Sequence, residues 1–195
     1  MSRVEVTTWS LEMRDPALLR SAAAPKLPIA IDRAEVPQPE LNRFLYTAVG
    51  GEWYWLGRLP WTFERWMAWL DRPEVETWVA RSGGSPAGYF ELERQQGGDV
   101  EMAYFGLMRQ FIGRGAGGHL LTAAIRRAWD MPGTRRVWVH TCSLDHPSAL
   151  ANYQARGLEI FAVETETHDL PDEPPGPWPG AKSPSRGTPA SRLDG

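Results

Sequence analysis

The chain has 195 residues, enough for one domain with a sizeable core. Its formal net charge is −3, so nothing marks a nucleic-acid binder or a polybasic membrane surface. Cys142 is the only cysteine, which rules out an intrachain disulfide and points to a reducing compartment.

Met1 to Glu5 lack the apolar core of a signal peptide, and no apolar run approaches membrane-spanning length. The expectation is a cytoplasmic protein without membrane contact. Val4, Val6 and Thr8 alternate as in a short strand over 3–9, at an edge or added to the sheet. Asp15 to Leu27 reads as weak helix ending in prolines, and Ile29 to Ala34 as the first strand of the sheet proper. From Pro39 a helix carries Leu41, Phe44, Leu45 and Ala48 on one face and stops at Gly50-Gly51.

More than half of the ten tryptophans lie between Glu52 and Trp78. Thr62 is a cap for a helix over 63–71, in which Trp66, Trp69 and Leu70 form a core stripe. Trp53, Tyr54, Trp55 and Trp61 precede it in a loop, where packing explains less. They are read either as ordinary packing or as the aromatic wall of a pocket.

Three strands follow as a meander, over 76–81, 87–93 and 100–107, with turns at Ser82-Gly83-Gly84 and Gly97-Gly98-Asp99. The third runs into a loop with glycines at 113, 115, 117 and 118, and the loop opens directly into a helix. There Leu120, Leu121, Ala124, Ile125 and Ala128 face the core. A strand over 135–142, a helix from Pro147 to about Arg156 capped by Asp145 or His146, and a strand over 158–167 complete the pattern. From Pro171 onward proline, glycine and serine dominate without periodicity, so 171–195 reads as a disordered tail beside a domain over 1–170.

Strand, glycine loop and helix N-terminus form a phosphate site, because the first N–H groups of the helix lack internal partners and the helix dipole favours negative charge. No Lys-Ser or Lys-Thr pair follows the glycines, so the loop is not a Walker motif. Gly113-Arg114-Gly115-Ala116-Gly117-Gly118 fits the spacing of a dinucleotide fingerprint, but it sits past mid-chain and Asp130 closes a helix instead of a strand.

The stretch from Leu107 through Ile112-Gly113-Arg114-Gly115-Ala116-Gly117 to Leu121 resembles the acyl-CoA loop of the GCN5-related N-acetyltransferases, written [QR]-x-x-G-x-[GA]. Asp145-His146-Pro147-Ser148-Ala149, followed by Tyr153 and Gly157-Leu158, resembles the same family's N-P-x-A-x-x-x-Y-x-x-x-G-F block. The resemblance covers about residues 75 to 165.

It implies an α/β fold with a mixed, mostly antiparallel sheet, helices on both faces and a V-shaped splay between the fourth and fifth sheet strands. It also implies acetyl-CoA as acyl donor, attacked directly by a primary amine on a small molecule or peptide. Main-chain groups of Phe105, Gly106 and Leu107 would pair with the pantetheine arm, Gly113 to Gly118 would hold the pyrophosphate, and a main-chain N–H near Leu107 would meet the oxyanion. Tyr153 would protonate the departing thiolate. Glu101 is the first candidate base and His140 the second, with Glu91 and Asp145 as candidate partners for substrate charge.

Ile112 and His146 depart from the family's Gln or Arg and Asn, so their contacts to the cofactor would change. No metal is expected, since His119, His140, His146 and His168 lack ligand spacing. Family members are often dimers, and a homodimer is an open expectation. Two other readings remain: a non-catalytic acyl-CoA-binding module on the same fold, and a dinucleotide-binding oxidoreductase.

Overall fold

A computed structural model describes residues 1–181 of the chain. Seven strands form one sheet: β1 (Ser2–Met13), β2 (Ala30–Ala34), β3 (Val75–Ser82), β4 (Ser85–Arg94), β5 (Asp99–Leu107), β6 (Arg136–Cys142) and β7 (Glu159–Leu170). Their spatial order is β2-β3-β4-β5-β6-β1-β7. Every neighbouring pair is antiparallel except β5 and β6, which run parallel. The helices are α1 (Pro39–Gly50), α2 (Phe63–Leu70), α3 (Ala116–Asp130) and α4 (Ala149–Ala155). None is long and apolar enough to cross a membrane.

The helices cover opposite faces. Leu120, Leu121, Ala124 and Ile125 of α3 and Tyr153 of α4 pack on Phe90, Leu92, Val100, Met102, Val137 and Val139. On the other face, Leu45 and Val49 of α1 meet Val79 and Tyr89, while Trp66 and Leu70 of α2 close over Tyr46 and Val75. Thr62 caps α2 by accepting the Arg65 N–H at 3.3 Å, a contact worth about 1 kcal/mol.

Three elements differ from the sequence reading. The N-terminal strand is not a short edge. It runs to Met13 and inserts between β6 and β7, because beyond Trp9 the alternation resumes in a new phase with Leu11 and Met13 buried. The stretch 15–27 contains only a 3₁₀ turn over Pro16–Leu18, capped by the Asp15 carboxylate. The rest is a strap over α3, where Ala22 donates its N–H to Thr122 Oγ1 and Arg126 reaches Ser21. Finally, α1 buries Asn42, Leu45, Tyr46 and Val49 and leaves Phe44 exposed, a face turned by one residue from that expected.

Gly157 ends the last helical segment for two reasons. Its φ is +97°, and a Cβ there would meet the Leu18 carbonyl oxygen at 2.2 Å. β7 continues to Leu170. Beyond it Asp172 accepts from the Ser2 hydroxyl, and Gly176 donates its N–H to the Gly51 carbonyl at 2.9 Å. Residues 182–195, the larger part of the tail expected to be disordered, lie outside the described residues.

Candidate active site

The parallel pairing of β5 and β6 lasts only from Asp99–Arg136 to Glu101–Trp138. β5 then continues to Leu107 and β6 to Cys142 without pairing to each other. The two strands therefore splay into a V, and a cleft of about 820 Å³ lies there. Main-chain groups of Ala103 to Leu107 face this gap without a strand partner on that side, which makes β5 a ready edge for an extended ligand.

A β-bulge re-aims side chains at the same place. Glu91 pairs with Tyr104 and Leu92 with Met102, so Ala103 has no opposite number. Before the bulge Val100 and Met102 face α3; after it Tyr104 joins the α1 side and Phe105 packs toward α3 and α4. Phe105 meets Tyr153 edge-on, with ring centroids 6.0 Å apart.

The glycine loop closes one end of the cleft. After a 3₁₀ turn over Arg109–Phe111 the chain passes through Gly113 and Gly115, both with φ near +80° (79° and 78°), and α3 starts at Ala116. Gly115 occupies the N-cap and supplies no side-chain acceptor, so the first N–H groups of α3 are left for an external anion. Ile112, Gly113, Gly117 and Gly118 border the cleft, while Arg114 and Gly115 are exposed and Ala116 is buried outside its lining.

Across the V, β6 ends in a turn held by Asp145, whose carboxylate accepts the Thr141 hydroxyl at 2.7 Å and the Cys142 N–H at 3.0 Å. His146 Nδ1 accepts the Ser148 N–H at 3.1 Å, and α4 begins at Ala149, later than the sequence suggested. Tyr153 is buried in α4 at the cleft wall. Burial pushes its phenol well above the ordinary value, and the Asp145 charge adds to the effect. Its hydroxyl has no hydrogen-bond partner among the described residues.

The two candidate bases form one unit. His140 borders the cleft and is half-exposed; Glu101 stands behind it, with Oε1 at 3.6 Å from His140 Nδ1. The other oxygen of Glu101 accepts from Gln95 Nε2 at 2.7 Å, and Gln95 in turn accepts from Trp138 Nε1 at 3.1 Å. The Glu101 carboxylate beside it raises the His140 pKa above the ordinary imidazole value, against the opposing effect of burial.

An aromatic chamber occupies the α1 side of the gap. Tyr46, Trp55 and Tyr104 meet pairwise, with centroids 5.5, 4.9 and 5.2 Å apart. The loop after α1 spans the opening: Glu52 pairs with Arg109 at 3.0 Å on one side, and Trp53 packs edge-on against His146 on the other. Behind the chamber, Arg58 makes a forked pair with Glu91 at 2.8 and 3.1 Å. Trp69 Nε1 and Asn42 also donate to Glu91, so this acid is not available to a substrate. The Arg58 guanidinium lies 4.2 to 4.6 Å from the centroids of Tyr104, Trp69 and Trp61.

Sequence reasoning had singled out Trp53, Tyr54, Trp55, Tyr153, His140, Gly113, Gly117 and Gly118, which the structure brings to one cleft, whereas Trp61 and Gly115, singled out with them, are not part of its lining. It missed Tyr46, Tyr104 and Asn152 as lining residues, and Arg58 as the anchor of the wall. Among the described residues no group of three or more His, Cys, Asp or Glu is placed to hold a metal ion.

The sequence pattern of the acetyltransferase (GNAT) family matches residues 40–158. Among solved structures, a GCN5-related N-acetyltransferase from Kribbella flavida superposes with a TM-score of 0.61 at 17% identity, covering 86% of this chain and 60% of that one. One from Sphaerobacter thermophilus gives 0.57 at 21% identity, covering 83% and 51%. A Bacillus subtilis acetyltransferase in complex with CoA gives 0.51 at 22%, covering 69% and 79%. At such identities the likeness shows the fold, the one expected from the sequence. The chain spans 60% and 51% of the first two of these structures. No curated protein matches it.

Proposed function

The chain belongs to the acetyltransferase (GNAT) family, and from that premise we propose that it transfers an acetyl group from acetyl-CoA to a primary amine. The observation that carries this reading is the cleft between β5 and β6, which has an unpaired strand edge on one wall and an uncapped helix N-terminus at one end. An extended thioester with a diphosphate fits that combination: its amide-bearing arm matches the edge and its phosphates match the helix end. The loss of a Gln or Arg at Ile112 leaves this main-chain cradle intact.

In this reading His140 takes the proton of the attacking amine, and Glu101 acts behind it as a positioning residue. The amine nitrogen bonds to the thioester carbon, and an N–H on the free edge of β5 near Leu107 stabilises the oxyanion. The carbon–sulfur bond then breaks, and Tyr153 gives its proton to the leaving sulfur. The products are an amide and free CoA, with His140 and Tyr153 re-equilibrating through solvent. A phenol held above its ordinary pKa keeps its proton until a thiolate forms beside it.

Turnover is read as free thiol released only when acetyl-CoA and an amine are both present, with an amine product heavier by one acetyl group. Thiol release that ignores the amine contradicts the reading. The same assay tests the base. His140 must be neutral to act, so activity falls as pH drops through its raised pKa, giving an acid limb above the ordinary histidine value of about 6.5. Glu101→Gln removes the charge that raises it, and the limb is expected to move to lower pH. An unmoved limb excludes the pair as the proton acceptor.

A further inference from the structure

We infer that the acceptor is a monoamine on an aromatic or apolar body, of the arylalkylamine kind, and not a polycation. This inference rests on the acetyltransferase reading of the cleft. The cleft has two unlike ends on opposite faces of the sheet. The end under α3 offers bare N–H groups and suits phosphates; the end under α1 is a chamber of Tyr46, Trp55 and Tyr104. With the donor's phosphates at the first, the second receives the acceptor.

The charges around that chamber are already spent. Glu91 is committed to Arg58, Trp69 and Asn42. Glu52 is held by Arg109. Asp145 closes its own turn, and Glu101 is shared between Gln95 and His140. Asp145 is the one carboxylate that borders the cleft among the described residues. A second positive charge on the acceptor would find no free anion here and would feel the Arg58 guanidinium, 4.2 Å from the Tyr104 ring centroid. A diamine or a polyamine therefore pays desolvation without a partner.

The ring wall, by contrast, is built with some care for shape. α1 ends in Gly50, where a Cβ would meet the Trp55 indole at 2.0 Å, so the glycine makes room for that ring. Tyr54 is the only non-glycine residue with positive φ among the described residues (57°), in the loop that lines the chamber. Such a backbone is maintained only where its surroundings hold it. A planar apolar body fits among these rings edge-on or stacked, leaving its amine toward the splay where His140 lies.

The test is a set of amines in the thiol-release assay: 2-phenylethylamine, tryptamine, hexylamine, putrescine, spermidine and a short lysine peptide. The arylalkylamines are expected to exceed putrescine and spermidine in kcat/KM by about ten- to a hundredfold, the range that burying one ring supplies. Trp53→Ala, in the half-buried loop that spans the opening, should raise KM for tryptamine several-fold more than for hexylamine. If putrescine, spermidine or the peptide is the best acceptor, the inference falls and the enzyme reading stands. If acetyl-CoA binds and no amine is consumed, the enzyme reading fails and takes the inference with it.

Discussion

Replacing Arg58 by methionine is expected to destabilise the protein by about 3–5 kcal/mol, the usual cost of removing one partner from a buried ion pair. Glu91 is 1% exposed and would keep Trp69 and Asn42 as donors, but no countercharge. The rings around the guanidinium would also lose their cation. For a chain of this length that loss lowers the melting midpoint by roughly 6–20 °C. The effect is specific to the unpaired charge, so Arg58→Met with Glu91→Gln should recover a large part of it, and a double-mutant cycle would give the coupling. A single-variant cost below about 1 kcal/mol would mean that the pair does not anchor the wall.

Tyr153→Phe is expected to lower kcat by about 10²–10⁴-fold, the range of a positioned general acid. The fold should tolerate it, since the hydroxyl supports no other group among the described residues and the ring still packs on Phe105. Acetyl-CoA binding should stay within a few-fold of the parent. A thioester whose thiol has a lower pKa should lose less rate, because it depends less on an acid. Equal losses for both leaving groups would assign Tyr153 to packing. A non-catalytic acyl-CoA-binding module would bind acetyl-CoA in both forms and turn over in neither.

Both variants also show which features were legible beforehand. The glycine loop and the Tyr153–Gly157 block are local: their conformations follow from residues adjacent in sequence, and Gly157 is required by its own φ and by the Leu18 carbonyl beside it. α2 was readable because Thr62 and the Trp66–Leu70 stripe report helix start and face within one segment. The α1 face was not. Leu41-Phe44-Leu45 and Asn42-Leu45-Tyr46 have the same period, and only tertiary contacts choose between them. Asn42 is buried because its amide donates to Thr77 and Glu91, and a pattern of apolar residues assigns such a position to solvent.

Arg58 gave no signal for a related reason. A single arginine in an aromatic loop looks solvated until its partner, on a strand 33 residues away, is brought to it. The same holds for the base. Glu101 and His140 each fit the role by type and strand position; the parallel register of Glu101 with Trp138 sets one behind the other. The insertion of β1 between β6 and β7 is a choice among possible pairings, and alternation along the strand carries no information about its neighbours.

The most direct test of the central claim is thermal melting of the protein with acetyl-CoA, CoA, NAD(P) and ATP, one at a time. A ligand present at a hundred times its dissociation constant adds about 2.7 kcal/mol of stability. Acetyl-CoA and CoA should raise the midpoint, NAD(P) and ATP should not, and a bulky substitution at Gly117 on the cleft wall should remove the shift. A chain that melts at the same temperature with and without acetyl-CoA would contradict the assignment of the cleft, and with it the proposed reaction.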